Sequence, residues 1–133
     1  MSDRNGNSSN GSKKLIFACS GAADVGLIAD RSARTMAEQG VGKMFCLAGI
    51  GGQVEKIMET TKSAERILAI DVCPMNCTQR CLEQAGFDNI THLQLADMGL
   101  EKGRSPVSSE NIWRVVMKAT KIMNYDAAVA MTG

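Results

Sequence analysis

Five cysteines carry most of the chemistry this sequence offers: Cys19, Cys46, Cys73, Cys77 and Cys81. Thiolate sulfur is a soft ligand for zinc, copper(I) or iron, and it is also a nucleophile and a redox centre. The cysteine count is odd, and residues 1–12 lack the apolar stretch of an export signal. Both features argue for thiols kept reduced in the cytoplasm and against a disulfide framework. Free cysteine as a small buried apolar residue accounts for one or two of the five, but it leaves their positions unexplained.

Those positions are regular. Cys73, Cys77 and Cys81 follow one another at steps of four, and residues so spaced are helix neighbours with Cβ atoms about 5–6 Å apart. Sulfurs on such residues can converge on one ion, since Zn–S bonds are about 2.3 Å. The intervals Cys19 to Cys46 and Cys46 to Cys73 are equal, each the length of roughly one βα unit.

The elements that must position these residues read as βαβαβαβα. A first strand, Lys13 to Cys19, turns at Ser20-Gly21-Ala22-Ala23 into a helix with the stripe Val25, Ile28, Ala29, Ser32 and Met36, ended by Gly40. A second strand, Lys43 to Ala48, turns at Gly49-Ile50-Gly51-Gly52 into a helix with the stripe Val54, Ile57, Met58 and Thr61. A third, Arg66 to Asp71, is a short apolar run that turns directly into a helix. Pro74 suits that helix's first position, which puts Cys73 at or beside its N-cap, and Gly86 is its stop. A fourth strand alternates from Ile90 within Phe87 to Leu95, as an edge strand does. After a loop from Ala96 to Val107, Ser108 or Ser109 caps a last helix with Ile112, Val115, Val116, Ala119 and Met123 on one face. Alternating strands and helices predict a small three-layer α/β domain with an open parallel sheet, strand order 2-1-3-4. The expected divisions are a disordered leader over 1–12, one domain over 13–125 and a tail over 126–133.

In a parallel sheet all carboxyl ends lie along one edge, where open α/β proteins place their ligand sites. Cys19, Cys46 and Cys73 each fall at the end of a different strand, and neighbouring strands are about 4.8 Å apart. Cys77 adds a fourth sulfur from the following helix. Three helix N-termini face that edge, and their partial positive charge complements thiolates and lowers thiol pKa values. Gly21, Gly49, Gly51 and Gly52 would let backbone N–H groups approach sulfur. Asp71 is read as a turn hydrogen-bonder or as a group that orients the site from behind. Cys81 is read as packing beside Thr78, Leu82 and Ala85, or as a spare redox-active thiol. His92, the single histidine, is read first as a partly exposed strand residue and second as a neighbour of the site. Met44 and Met75 lie near cysteines and keep a copper(I) site open.

Other classes fit less well. Val25 stands where a cysteine phosphatase loop needs arginine, and the Gly49–Gly52 turn lacks both the dinucleotide pattern and the P-loop lysine. Net charge is +1 with one Trp, one Tyr and three Phe, so nothing points to nucleic acid. No apolar run reaches the roughly 18 residues of a membrane span.

With these residues in view, the chain resembles the DGC-domain family, small proteins described as zinc-binding. The matching stretches are Cys19-Ser20-Gly21-Ala22, Gly42 through Phe45-Cys46 to Gly52, and Asp71-Val72-Cys73-Pro74 through Cys77 to Gly86. The resemblance runs from Leu15 to about Met123, and it implies Cys19, Cys46, Cys73 and Cys77 as metal ligands. Val72 stands where the family's Asp-Gly-Cys motif has glycine, and valine does not readily take φ > 0. The expectation is therefore a zinc-binding Cys₄ protein, structural or metal-sensing or delivering, with a metal ion as partner and no nucleic acid or membrane. Two other readings stay open. One is a thiol redox or sulfur-transfer enzyme with Cys73 as nucleophile and Cys77 or Cys81 resolving. The other is an interaction module whose surface zinc shapes.

Overall fold

The computed structural model describes residues 14–124. The expected leader over 1–12 and tail over 126–133 lie outside the described residues, as do the outermost residues assigned to the domain. Four parallel strands, β1 (Lys14–Ala18), β2 (Lys43–Met44), β3 (Arg66–Asp71) and β4 (Ile90–Gln94), stand in the order β2-β1-β3-β4. This is the 2-1-3-4 order expected from the sequence. The helices are α1 (Asp24–Glu38), α2 (Leu47–Gly51), α3 (Glu55–Lys62), α4 (Cys77–Gln84) and α5 (Ser109–Met123), with a 3₁₀ turn over Leu95–Met98.

The sheet is covered on both faces because its central strands are apolar without a break over Leu15–Ala18 and Ile67–Ile70. Ile16, Ala18, Leu68 and Ile70 point to one face and meet α1 and α5 through Ile28, Ala29, Val115 and Ala119. Leu15, Phe17, Ile67 and Ala69 point to the other, with Ile50, Leu82 and Phe87. Each fully buried Leu, Ile or Phe contributes about 1.5–3 kcal/mol. All five residues of the predicted α1 stripe are buried. Ser108 caps α5, its Oγ accepting from Asn111 N–H at 3.1 Å. Gly40 and Gly86 take the left-handed conformation just past α1 and α4 (φ 79° and 101°), as C-terminal stops do.

The second unit departs from expectation. β2 stops at Met44, although the Phe45 N–H still donates to Ile16 O at 2.9 Å. Phe45 then packs edge-on against Phe17, with centroids 6.0 Å apart. The glycines at 49 and 51 are helical, in α2, and a second short helix, α3, follows. Gly49 is small because a Cβ there would lie 2.8 Å from Ile57 Cγ1, where α2 meets α3. Val54 is 50% exposed, while Ile57 and Met58 are half-buried and Thr61 is buried. No helix among the described residues is long and apolar enough to cross a membrane.

Candidate functional site

The carboxyl edge is built by continuing the strand register. Ala18 pairs with Ile70, and the Cys19 N–H extends the ladder by donating to Ile70 O at 2.9 Å. Asp71 ends β3 and pairs with Gln94 at the end of β4. Cys19, Cys46 and Cys73 thus open the turns after three different strands, and Cys77 is the first residue of α4.

The Cys73–Cys77 loop is not the helix start expected from Pro74. Asn76 N–H donates to Cys73 O at 3.1 Å, closing a turn with Pro74 at its second position. Pro suits that position because its fixed φ is the one required. Asn76 is left-handed (φ 53°) and immediately precedes α4, so Cys73 is four residues ahead of the helix and not at its cap. Val72 has no positive φ; its side chain instead joins the apolar cluster under α1 and α5. The residue type at 72 is therefore a packing choice here.

Asp71 supplies what Asn76 does not. Its Oδ1 accepts from Thr78 N–H at 2.7 Å and its Oδ2 from Gln79 N–H at 3.0 Å. A buried carboxylate thereby caps α4 from the end of β3, with its charge at the positive end of the helix. His92 Nε2 lies 2.9 Å from the same Oδ2. Gln94 Nε2 donates at 2.6 Å to both Cys73 O and Asn76 Oδ1, and Gln94 Oε1 accepts from Ala96 N–H at 3.2 Å. The edge strand β4 thus straps down the loop that carries Cys73. On the other side, Ser20 Oγ donates to Asp30 Oδ1 at 2.8 Å and fixes the turn after Cys19.

All five thiols are free; Cys46 and Cys77 are exposed and the other three half-buried. Burial pushes the Cys19 thiol up, a hydrogen bond from Gly21 partly opposes this, and Asp71, Cys77 and Cys73 add repulsion. Cys81 is likewise raised, by burial and then by Cys77. For these two thiols desolvation outweighs the helix-terminus field that the sequence reading invoked. Cys46 Sγ accepts from Gly49 N–H at 3.3 Å and caps α2. Cys81 packs with Phe17 and Leu82, close to Gly51, where a Cβ would lie 3.6 Å from its sulfur. Gly52 caps α2 at its carboxyl end.

Asp71, Cys77 and Cys73 all lie near enough to act on Cys19 electrostatically, so these four groups share one neighbourhood. Cys46 lies on the neighbouring turn, after β2. Among the described residues no three His, Cys, Asp or Glu side chains are gathered tightly enough to hold one ion. The chemistry of the donors fits a thiophilic cation: soft sulfurs and a carboxylate collect negative charge at one edge. Met44 packs against the core and Met75 is 68% exposed on the loop.

The strand order reverses between β1 and β3, and there a cavity of about 340 Å³ opens. Gly21, Ala23, Gly26, Val72, Cys73 and Lys102 line it. Open α/β folds bind ligands at such a reversal. A shallower groove of about 760 Å³ lies beside Cys46, with Asp30, Arg34 and Phe45 in its wall. Sequence reasoning gave Gln94 and Lys102 no part in the site and His92 no partner. Only the β3–β4 register brings His92 and Gln94 to the loop, although polar residues on the inner face of an edge strand were a usable signal.

The family model described as the DGC domain matches residues 15–119. A curated relative, the anaerobic and virulence modulator AnvM of Pseudomonas aeruginosa, is 35% identical over 88 residues, 66% of this chain and 67% of the relative. No solved structure matches to a significant degree.

Proposed function

The chain belongs to the DGC domain family, and on that premise we propose that it is a regulatory metal-binding protein of the reducing cytoplasm, with zinc as its ion. Cys19, Cys73 and Cys77 are the core of the ligand set and Cys46 is the fourth ligand. The observation that carries this reading is the convergence of turns: cysteines after β1, β2 and β3 and at the start of α4 stand on one edge. Bound there by thiolates beside the Asp71 carboxyl, the ion would tie three βα turns together. Asp71, His92 and Gln94 hold the Cys73–Cys77 loop in place behind the ligands. The relative's description as an anaerobic and virulence modulator supports a sensory or regulatory role, and thiolate ligation would make such a role responsive to both metal supply and oxidation.

Elemental analysis of reduced protein tests it, with each cysteine changed to serine in turn. About one zinc per chain is expected, lost in Cys19→Ser, Cys46→Ser, Cys73→Ser and Cys77→Ser and kept in Cys81→Ser. A folded, reduced parent that neither carries zinc nor takes it up on titration would overturn the reading.

A further inference from the structure

Among the described residues, helix α5 buries one face and leaves the other unpartnered. Val115, Val116, Ala119 and Met123 are buried, whereas Trp113 is 50% and Met117 57% exposed. These are the largest exposed side chain and the most exposed methionine on any described helix. They stand four residues apart, so they are neighbours on the outer face.

Glu110 and Lys121 extend the same stripe and are both exposed. They are about three full turns apart, hence on one side of the helix and about 16 Å from each other along it. The stripe therefore runs from an acid, through an aromatic and a thioether, to a base. Neither Glu110 nor Lys121 has an ion-pair partner among the described residues. Arg114, which flanks the stripe, is drawn aside: its guanidinium donates to Met98 O at 2.9 Å and to Asn111 Oδ1 at 3.2 Å.

A stripe with opposite charges at its two ends is complementary to itself when reversed. A twofold axis midway between Trp113 and Met117 lays each Trp113 on the Met117 of the second copy. The same operation brings each Glu110 to within about one residue rise, 1.5 Å along the axis, of level with Lys121 of the second copy. Twofold pairing of one patch with itself is the commonest way in which soluble chains associate, and sulfur–aromatic contacts are favourable. We propose that the outer face of α5 is a self-association surface on which two copies of the chain pair antiparallel, Trp113 against Met117 and Glu110 against Lys121.

The test uses the full chain, reduced and with a chelator present, so that neither disulfides nor shared metal can join copies. Sedimentation across a concentration series is expected to show a monomer–dimer equilibrium. Trp113 is the single tryptophan, so its emission should shift to the blue and lose quencher access as the dimer forms. E110K and K121E should each weaken the dimer about tenfold or more, because two pairs turn from attraction to repulsion, and the double variant E110K/K121E should restore it. All of these positions are exposed, and far-ultraviolet circular dichroism confirms that the variants fold. A chain that stays monomeric overturns the proposal. If Trp113 is then shielded, the chain's own terminus covers the face; if it is open to quencher, the face awaits another protein. A dimer that the double variant does not restore overturns the antiparallel arrangement.

Discussion

His92 Nε2 on the edge strand lies 2.9 Å from Asp71 Oδ2, a carboxylate only 1% exposed at the end of the neighbouring strand. The same carboxylate receives two N–H groups from the first turn of α4. One side chain therefore joins β3, β4 and the helix that carries Cys77. Asp71→Ala strands two helix donors and the imidazole at once. A loss of about 2–3 kcal/mol is expected in urea unfolding. Asp71→Asn keeps one acceptor and should cost about half as much, while His92→Ala, at a half-buried position, should cost about 0.5–1 kcal/mol. Equal effects of Asp71→Ala and His92→Ala would show that the helix cap contributes nothing.

Gln94 positions the Cys73–Cys77 loop without offering a thiol of its own. It holds the Cys73 carbonyl and the Asn76 side chain at 2.6 Å each. Gln94→Leu should fold and keep its cysteines, yet lower zinc affinity by roughly 10–100-fold, as loss of a ligand-orienting partner does. Competition with a chromogenic chelator measures this. Unchanged affinity would mean that the loop is set by Pro74 and Asn76 alone.

The frame of the fold was legible, and the reasons are local. β1 and β3 are continuous apolar runs, and α1 has a stripe of helical period with Gly21 and Gly40 at its edges. The second unit was not, because Phe45-Cys46-Leu47-Ala48 is a short apolar run that reads equally as strand or helix. Its glycines pointed to a turn, since glycine disfavours helices. In fact Gly49 is kept small by Ile57 across a helix pair. Pro74 misplaced the start of α4 because the same fixed φ suits a helix's first residue and a turn's second. The Asp71–His92–Gln94 support was hidden for a different reason. These residues are neighbours only through strand register, and nothing in the residues between them encodes it.

Acid should loosen one specific loop. The N–H groups of Gly103, then of Ser105 and Val25, hold the Asp24 carboxyl below the ordinary carboxylate range. The oxygens accept from Gly103 at 2.9 Å and from Ser105 at 3.2 Å, tying the loop before α5 to the start of α1. A group whose folded pKa is depressed stabilises the fold above its unfolded pKa of about 3.9 and loses that contribution as pH falls through the lower folded value. Hydrogen exchange at Gly103 and Ser105 is therefore expected to lose protection only as pH falls below the ordinary carboxylate range. Asp24→Asn should show the reduced protection at neutral pH and no further loss on acidification.

Thiol reactivity should follow burial. Cys46 and Cys77 are exposed, whereas Cys81 is half-buried against Phe17 and Leu82 and its thiol is raised by burial. In chelated, reduced protein, iodoacetamide is expected to reach Cys46 and Cys77 first and Cys81 last. Zinc should then protect the first two strongly and leave the slow rate of Cys81 unchanged. Mass spectrometry of timed digests reads both. Zinc protection of Cys81 alone would move the ligand set away from the strand-end cysteines.

Two glycines separate close packing from sulfur approach. A Cβ at Gly26 would lie 2.3 Å from Gly21 O, so the first turn of α1 and the turn after Cys19 are in contact through backbone atoms. Backbone cannot rotate aside, and Gly26→Ala must push the Cys19 turn outward, at an expected cost of about 1–3 kcal/mol. At Gly51 a Cβ would lie 3.6 Å from Cys81 Sγ, an ordinary contact, and the residue is helical with no positive φ. Gly51→Ala should therefore be neutral or stabilising by up to about 1 kcal/mol, since alanine is the better helix former. Thermal unfolding of the two variants distinguishes the cases. If Gly51→Ala is instead the damaging change, glycine at 51 serves access to sulfur after all.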